Sequence, residues 1–160
     1  MEAILTAEVF GAPRPTKRPR SLSEAAAYGL KFGDKDAFLR EFLDEFYVEE
    51  NAARRATMLM DEPPIGEDDR ANAYYAAVAE HLALTYRLPV PSWTRGAARF
   101  LKRPFFPSGL ESLKATLLME SPTAFRRRMI FVDANPLYRP RRDKPHFGTQ
   151  AGDRAHGDVH

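Results

Sequence analysis

Between Phe38 and Tyr47 the apolar residues fall at Phe38, Leu39, Phe42, Leu43, Phe46 and Tyr47, which places them in one broad stripe on a helix. Asp34 or Asp36 stands where its cap belongs, and the other face carries Glu41, Asp44, Glu45, Glu49 and Glu50. A stronger stripe through Ala71, Tyr74, Tyr75, Val78, Ala79, Leu82, Ala83 and Tyr86 lasts about four turns and predicts the central helix, opened by Asp68 and Asp69. Ser21 and Glu24 have capping-box spacing, so a short helix starts there and stops near Gly29 or Gly33. Asn51 opens another helix through Met60, which Pro63 and Pro64 end. Thr94 caps a short helix ending near Leu101. Leu110, Leu113, Leu117 and Leu118 mark a sixth, and Ser121-Pro122 gives a cap and first-turn proline to a seventh, Thr123 to about Arg128.

The connections are rich in proline. Gly11 to Arg20 contains three prolines and four bases and reads as an extended linker. Leu88-Pro89-Val90-Pro91-Ser92-Trp93 is an extended segment anchored on the core by Trp93, and Arg103 to Gly109 is a rigid turn. Met129 to Val132 reads as a short buried strand with residues 3–10 as its partner, giving one small two-stranded β element. Apolar periodicity is lost after Asn135-Pro136. The expected fold is mainly α, a compact single domain of six to seven helices with flexible termini: an arm and linker over 1–20, a helical core over 21–138 and a flexible basic tail over 139–160.

Composition narrows the chemistry. With 160 residues, 44% of them hydrophobic, the chain can bury one core without cross-links. It has no cysteine, which excludes disulfides, thiolate zinc sites, iron–sulfur clusters and a cysteine nucleophile. No run approaches the ~20 apolar residues of a membrane span and the first thirty residues lack a hydrophobic signal core, so a cytoplasmic location is expected. The net charge of +2 hides an asymmetry: residues 34–80 hold 13 acids against 5 bases, and residues 81–160 hold 14 bases against 6 acids. Charges separated in this way either neutralise each other in the fold or meet a protein partner, whereas a uniformly basic face would argue for nucleic acid.

Catalytic motifs are missing from this pattern. There is no Gly-x-Ser-x-Gly elbow and no glycine-rich phosphate loop. His146, His156 and His160 lie near Asp153 and Asp158, but Gly157 opposes the helix that would make 156 and 160 a ligand pair. His81 reads as a boundary residue of the central helix, and Glu67, Asp68 and Asp69 are explained by the helix dipole. Arg126, Arg127 and Arg128 fan through about 200° on a helix, so at least one pairs internally, with the acidic second helix as a candidate acceptor. The functional reading makes them carboxylate or phosphate clamps. No catalytic, cofactor-binding or metal-ligating set is assigned.

The pieces Phe42-Leu43-Asp44-Glu45-Phe46-Tyr47, Asp61-Glu62-Pro63-Pro64, Ala79-Glu80-His81-Leu82-Ala83, Leu88-Pro89-Val90-Pro91-Ser92-Trp93 and Glu120-Ser121-Pro122-Thr123-Ala124-Phe125-Arg126-Arg127-Arg128 carry a resemblance. Over about Phe38 to Tyr138 the chain resembles small helical bacterial proteins, some encoded beside nucleotidyltransferase-type toxins and some forming the C-terminal part of repressor-like helix-turn-helix regulators. The resemblance implies a non-enzymatic antitoxin that neutralises a toxin-like enzyme by direct binding. It brings no catalytic residues, and the proline-rich 33 residues before the second helix are too few for the helix-turn-helix of longer relatives. Candidate partner-binding residues are Glu41, Asp44 and Glu45 on the acidic face, with Arg126, Arg127, Arg128, Arg139, Arg141 and Arg142. The alternative is a nucleic-acid-binding or transcription-regulatory accessory protein using Arg139, Arg141, Arg142, Lys144 and the N-terminal bases. An enzyme with a site around Glu80, His81, Tyr74, Tyr75 and Tyr86 ranks last.

Overall fold

The Ser21 hydroxyl accepts from the Glu24 amide at 3.0 Å, opening α1 (Leu22–Phe32), and Gly33 ends it at φ 75°, a conformation that favours glycine. Asp34 caps α2 (Lys35–Val48), Asn51 caps α3 (Ala52–Met60), and Asp68 caps α4 (Asp69–Thr85) by accepting from the Arg70 and Ala71 amides. Two 3₁₀ turns, Ser92–Arg95 and Ala97–Arg99, precede α5 (Lys114–Glu120) and α6 (Thr123–Arg126). The computed structural model describes residues 13–109 and 113–140, and within them the protein is mainly helical. None of these helices is long and apolar enough to cross a membrane.

α4 is the axis of the fold. From Asn72 to Ala83 every residue except Tyr74 and His81 is buried, because α1, α3, both 3₁₀ turns and α6 pack around it. α2 lies mainly against α1 and buries Phe38, Leu39, Phe42, Leu43 and Phe46, the stripe read from the sequence. Phe46 meets Phe42, Tyr47 and Tyr86 at ring-centroid distances of 5.4 to 5.9 Å. Trp93 is the expected anchor: its indole N–H donates to the Leu59 carbonyl at 3.0 Å.

Several local expectations are corrected. The segment after Trp93 forms two 3₁₀ turns instead of one helix, and Thr94 is buried with its hydroxyl on the Pro91 carbonyl at 2.7 Å. Ser121 does not cap α6; its hydroxyl donates to the Leu117 carbonyl and accepts from the Val132 amide at 2.9 Å, tying α5 to the chain beyond α6. α5 begins only at Lys114, with Leu113 and Leu118 exposed. No strand occurs among the described residues. The expected β element reduces to an isolated bridge from Ile130 to Phe105, and residues 3–10 lie outside the described residues.

At Gly29 α1 lies tightly against the start of α2. A Cβ there would stand 2.9 Å from the Lys35 Cβ and 3.1 Å from its Cα. Gly29→Ala gains up to about 1 kcal/mol of helix propensity but forces the helices apart, which costs roughly 1–3 kcal/mol. The variant should therefore unfold at lower urea than the parent, and an equal or higher midpoint would show that the helices have room to separate.

Candidate functional site

The acidic face of α2 is occupied by the chain's own arginines. Arg139 grips Asp44 with two hydrogen bonds, Nε to Oδ1 at 2.9 Å and Nη2 to Oδ2 at 3.1 Å. The hydrogen bond and charge of Asp44 hold the Arg139 guanidinium above its ordinary value. From the other end of the chain, Arg14 approaches Glu41 at 3.6 Å and Arg18 approaches Glu45 at 3.5 Å. Arg14 also stacks on Phe38, its guanidinium carbon 4.6 Å from the ring centroid. Arg139, expected to begin the loose tail, is thus half-buried on α2, while Arg141, Arg142 and Lys144 lie outside the described residues. Between these pairs, the Tyr47 hydroxyl donates to the Leu137 carbonyl at 2.7 Å, and burial pushes that phenol up to about 12.

The three consecutive arginines take different roles. Arg128 is a core residue, 1% exposed: it bonds Glu80, donates to the Ala124 and Thr94 carbonyls at 2.8 Å each, and stacks on Phe100 at 4.7 Å. Arg127 reaches the other oxygen of Glu80 at 2.6 Å, and Arg126 binds the Met119 and Ser121 carbonyls. The carboxylate acceptor of Arg127 and Arg128 is therefore Glu80 on α4 rather than the acidic face of α2. Being buried, Arg128 has no free surface to offer a partner. Sequence gave the fan of directions but not the turn that follows: Met129 adopts φ 59°, and Ile130 N–H closes on the Phe125 carbonyl at 3.0 Å.

The residues of the enzymatic alternative are dispersed. His81 packs on Phe125 with centroids 5.7 Å apart, and burial pulls its imidazole down from its ordinary value. Tyr86 stacks with Phe46 and Tyr47 under Arg55. Among the described residues no group of three or more histidines or carboxylates is placed to hold a metal ion.

Tyr74 and Tyr75 instead line a cavity of about 460 Å³, which the sequence did not reveal. It lies between the N-terminal ends of α2 and α4 and the segment of Phe105 and Pro107, with Lys35, Asp36, Asp68 and Arg70 around it. Lys35 donates to Asp68 at 3.2 Å, and Arg70 lies 4.5 Å over the Phe105 ring. Partial burial works to raise the Asp68 carboxyl, but the Ala71 amide, Lys35 and the Arg70 amide together hold it below the usual carboxylate range. The available signal was the adjacent Tyr74-Tyr75 pair: two phenols about 100° apart on a helix seldom both end in an apolar core.

No family model matches the chain, and no curated protein and no solved structure matches it.

Proposed function

We propose that the protein is a non-enzymatic protein-binding module whose acidic α2 face, Glu41, Asp44 and Glu45, docks a basic surface of a partner. Following the resemblance, the partner is a nucleotidyltransferase-type toxin that the module neutralises by direct binding. The observation that carries the reading is the set of guanidinium groups already on that face: Arg14, Arg18 and Arg139 come from segments on either side of the helical core. The exposed Arg14 and Arg18 pairs are worth about 0–1 kcal/mol each and the half-buried, two-point Arg139–Asp44 pair about 1–3 kcal/mol, so a partner's arginines can replace them without unfolding the core. A cleft that handles nucleotides is basic, which is the complementary charge.

The first test is affinity capture of the tagged protein from its native extract after nuclease treatment, with mass spectrometry of what co-elutes. A stoichiometric nucleotidyltransferase-like protein is expected, and material that disappears with nuclease would replace this reading with the nucleic-acid one. With the partner in hand, the triple variant Glu41→Lys, Asp44→Lys, Glu45→Lys should bind about ten- to a hundredfold more weakly while it remains folded by circular dichroism. Unchanged affinity would remove the α2 face as the docking surface.

A further inference from the structure

The cavity between α2 and α4 holds unspent charge of both signs. Asp36 makes no ion pair among the described residues, and the Arg70 side chain makes none either, lying only on Phe105. Lys35 and Asp68 satisfy each other. A simple cation entering the cavity meets Lys35 and Arg70, and a simple anion meets Asp36 and Asp68. A molecule carrying both charges meets a free partner for each.

Two phenols sharpen the assignment. Tyr75 is 7% exposed and lines the cavity, yet its hydroxyl has no hydrogen-bond partner among the described residues, nor has that of Tyr74. Neither hydroxyl is sealed from solvent, so both are free to bond a polar group that enters the cavity. Burial first, and then the Asp36 carboxylate, push both phenols up to about 12, which keeps them protonated, and Asp36 lines the same cavity. An ammonium seated there donates to the carboxylate and to the phenol oxygens. Leu39, Ala71, Phe105 and Pro107 supply an apolar wall.

We propose that this cavity binds a free α-amino acid with an apolar side chain, its ammonium among Asp36, Tyr74 and Tyr75, its carboxylate on Arg70, and its side chain along Leu39, Ala71 and Phe105. The volume of about 460 Å³ admits the largest apolar side chains. The proposal stands apart from the docking role of the α2 face, because Glu41, Asp44 and Glu45 do not line the cavity.

The test is saturation-transfer NMR and calorimetry on the full chain with L-leucine, L-phenylalanine and L-tryptophan, and with 3-phenylpropanoate and 2-phenylethylamine as single-charge controls. At least one amino acid should bind at millimolar concentration or below, and the controls about tenfold more weakly. Asp36→Asn and Arg70→Gln, neither of which breaks an ion pair, should each weaken binding by about tenfold with the melting temperature retained. The absence of binding by all three amino acids overturns the proposal. So do controls that bind equally well, or affinity unchanged in both variants.

Discussion

Glu80→Ala is expected to cost about 3–5 kcal/mol, because it leaves the Arg128 guanidinium buried without its counter-charge. Burial alone pulls that guanidinium down from its ordinary value, and the hydrogen bond and charge of Glu80 oppose the pull. With Glu80 gone, the Thr94 and Ala124 carbonyls and the Phe100 ring still face Arg128, but none of them carries a full negative charge. A domain with roughly 5–15 kcal/mol in total would be left near its unfolding threshold. Arg127→Ala should cost less than about 1 kcal/mol, since Arg127 is largely exposed and Glu80 keeps Arg128. Replacing Glu80 and Arg128 together by methionine removes the unpaired charge and should recover part of the loss, the remainder coming from the Thr94 and Ala124 carbonyls left without the Arg128 donor. Urea unfolding of the three variants measures all of this. A Glu80→Ala loss below about 1 kcal/mol would mean that water reaches Arg128 and that Glu80 is not its necessary counter-charge.

Arg99→Met should cost about 2–4 kcal/mol, for a different reason. Arg99 is wholly buried, but its one carboxylate partner, Glu62, is half exposed. Its main acceptors are neutral: the Asn72 carbonyl at 3.1 Å and the Pro63 carbonyl. Methionine fills much of the volume but leaves the Pro63 carbonyl without a donor and the Asn72 carbonyl with only its helical one. The loss therefore comes from unsatisfied backbone, and Glu62→Gln should change stability by less than about 1 kcal/mol. Trp93 is the chain's single tryptophan, and Arg99 lies 5.0 Å over its ring. Its fluorescence thus reports the site directly, and Arg99→Met should alter the emission even where the variant stays folded. An unchanged spectrum together with a small stability loss would contradict the assignment.

The two buried arginines act as internal ties between segments far apart in the chain. Arg128 joins α4, α6 and the first 3₁₀ turn, and Arg99 joins the second 3₁₀ turn to α4 and to the segment after α3. Arg55 does similar work at the end of α2: it donates to the Phe46 and Tyr47 carbonyls at 3.2 Å each and stacks on Tyr86 at 4.3 Å. α2 is therefore held from its buried side and its C-terminal end. In the proposed binding role, Arg14, Arg18 and Arg139 can leave its acidic face while the helix stays in place.

Helix periodicity and caps were legible in the chain because they are local. Phe38 to Tyr47 and Ala71 to Tyr86 announce their buried faces within a few turns, and Ser21, Asn51 and Asp68 each satisfy amide donors only two or three residues away. The ends of α4 and α6 were harder to read, since Arg87 and Met129 take positive φ where glycine would have been the signal. The partners of the charges were not legible at all. Glu80 and Arg128 are 48 residues apart, Asp44 and Arg139 are 95 apart, and no spacing rule links such positions. Sequence showed that acids gather before residue 80 and bases after it. Only packing determined that one carboxylate became the core counter-ion of Arg128, that three others hold surface arginines, and that Asp36 was left facing two phenols across a cavity. The physical reason is desolvation: which charges must pair depends on which are taken out of water, and that is set by how the helices close around α4.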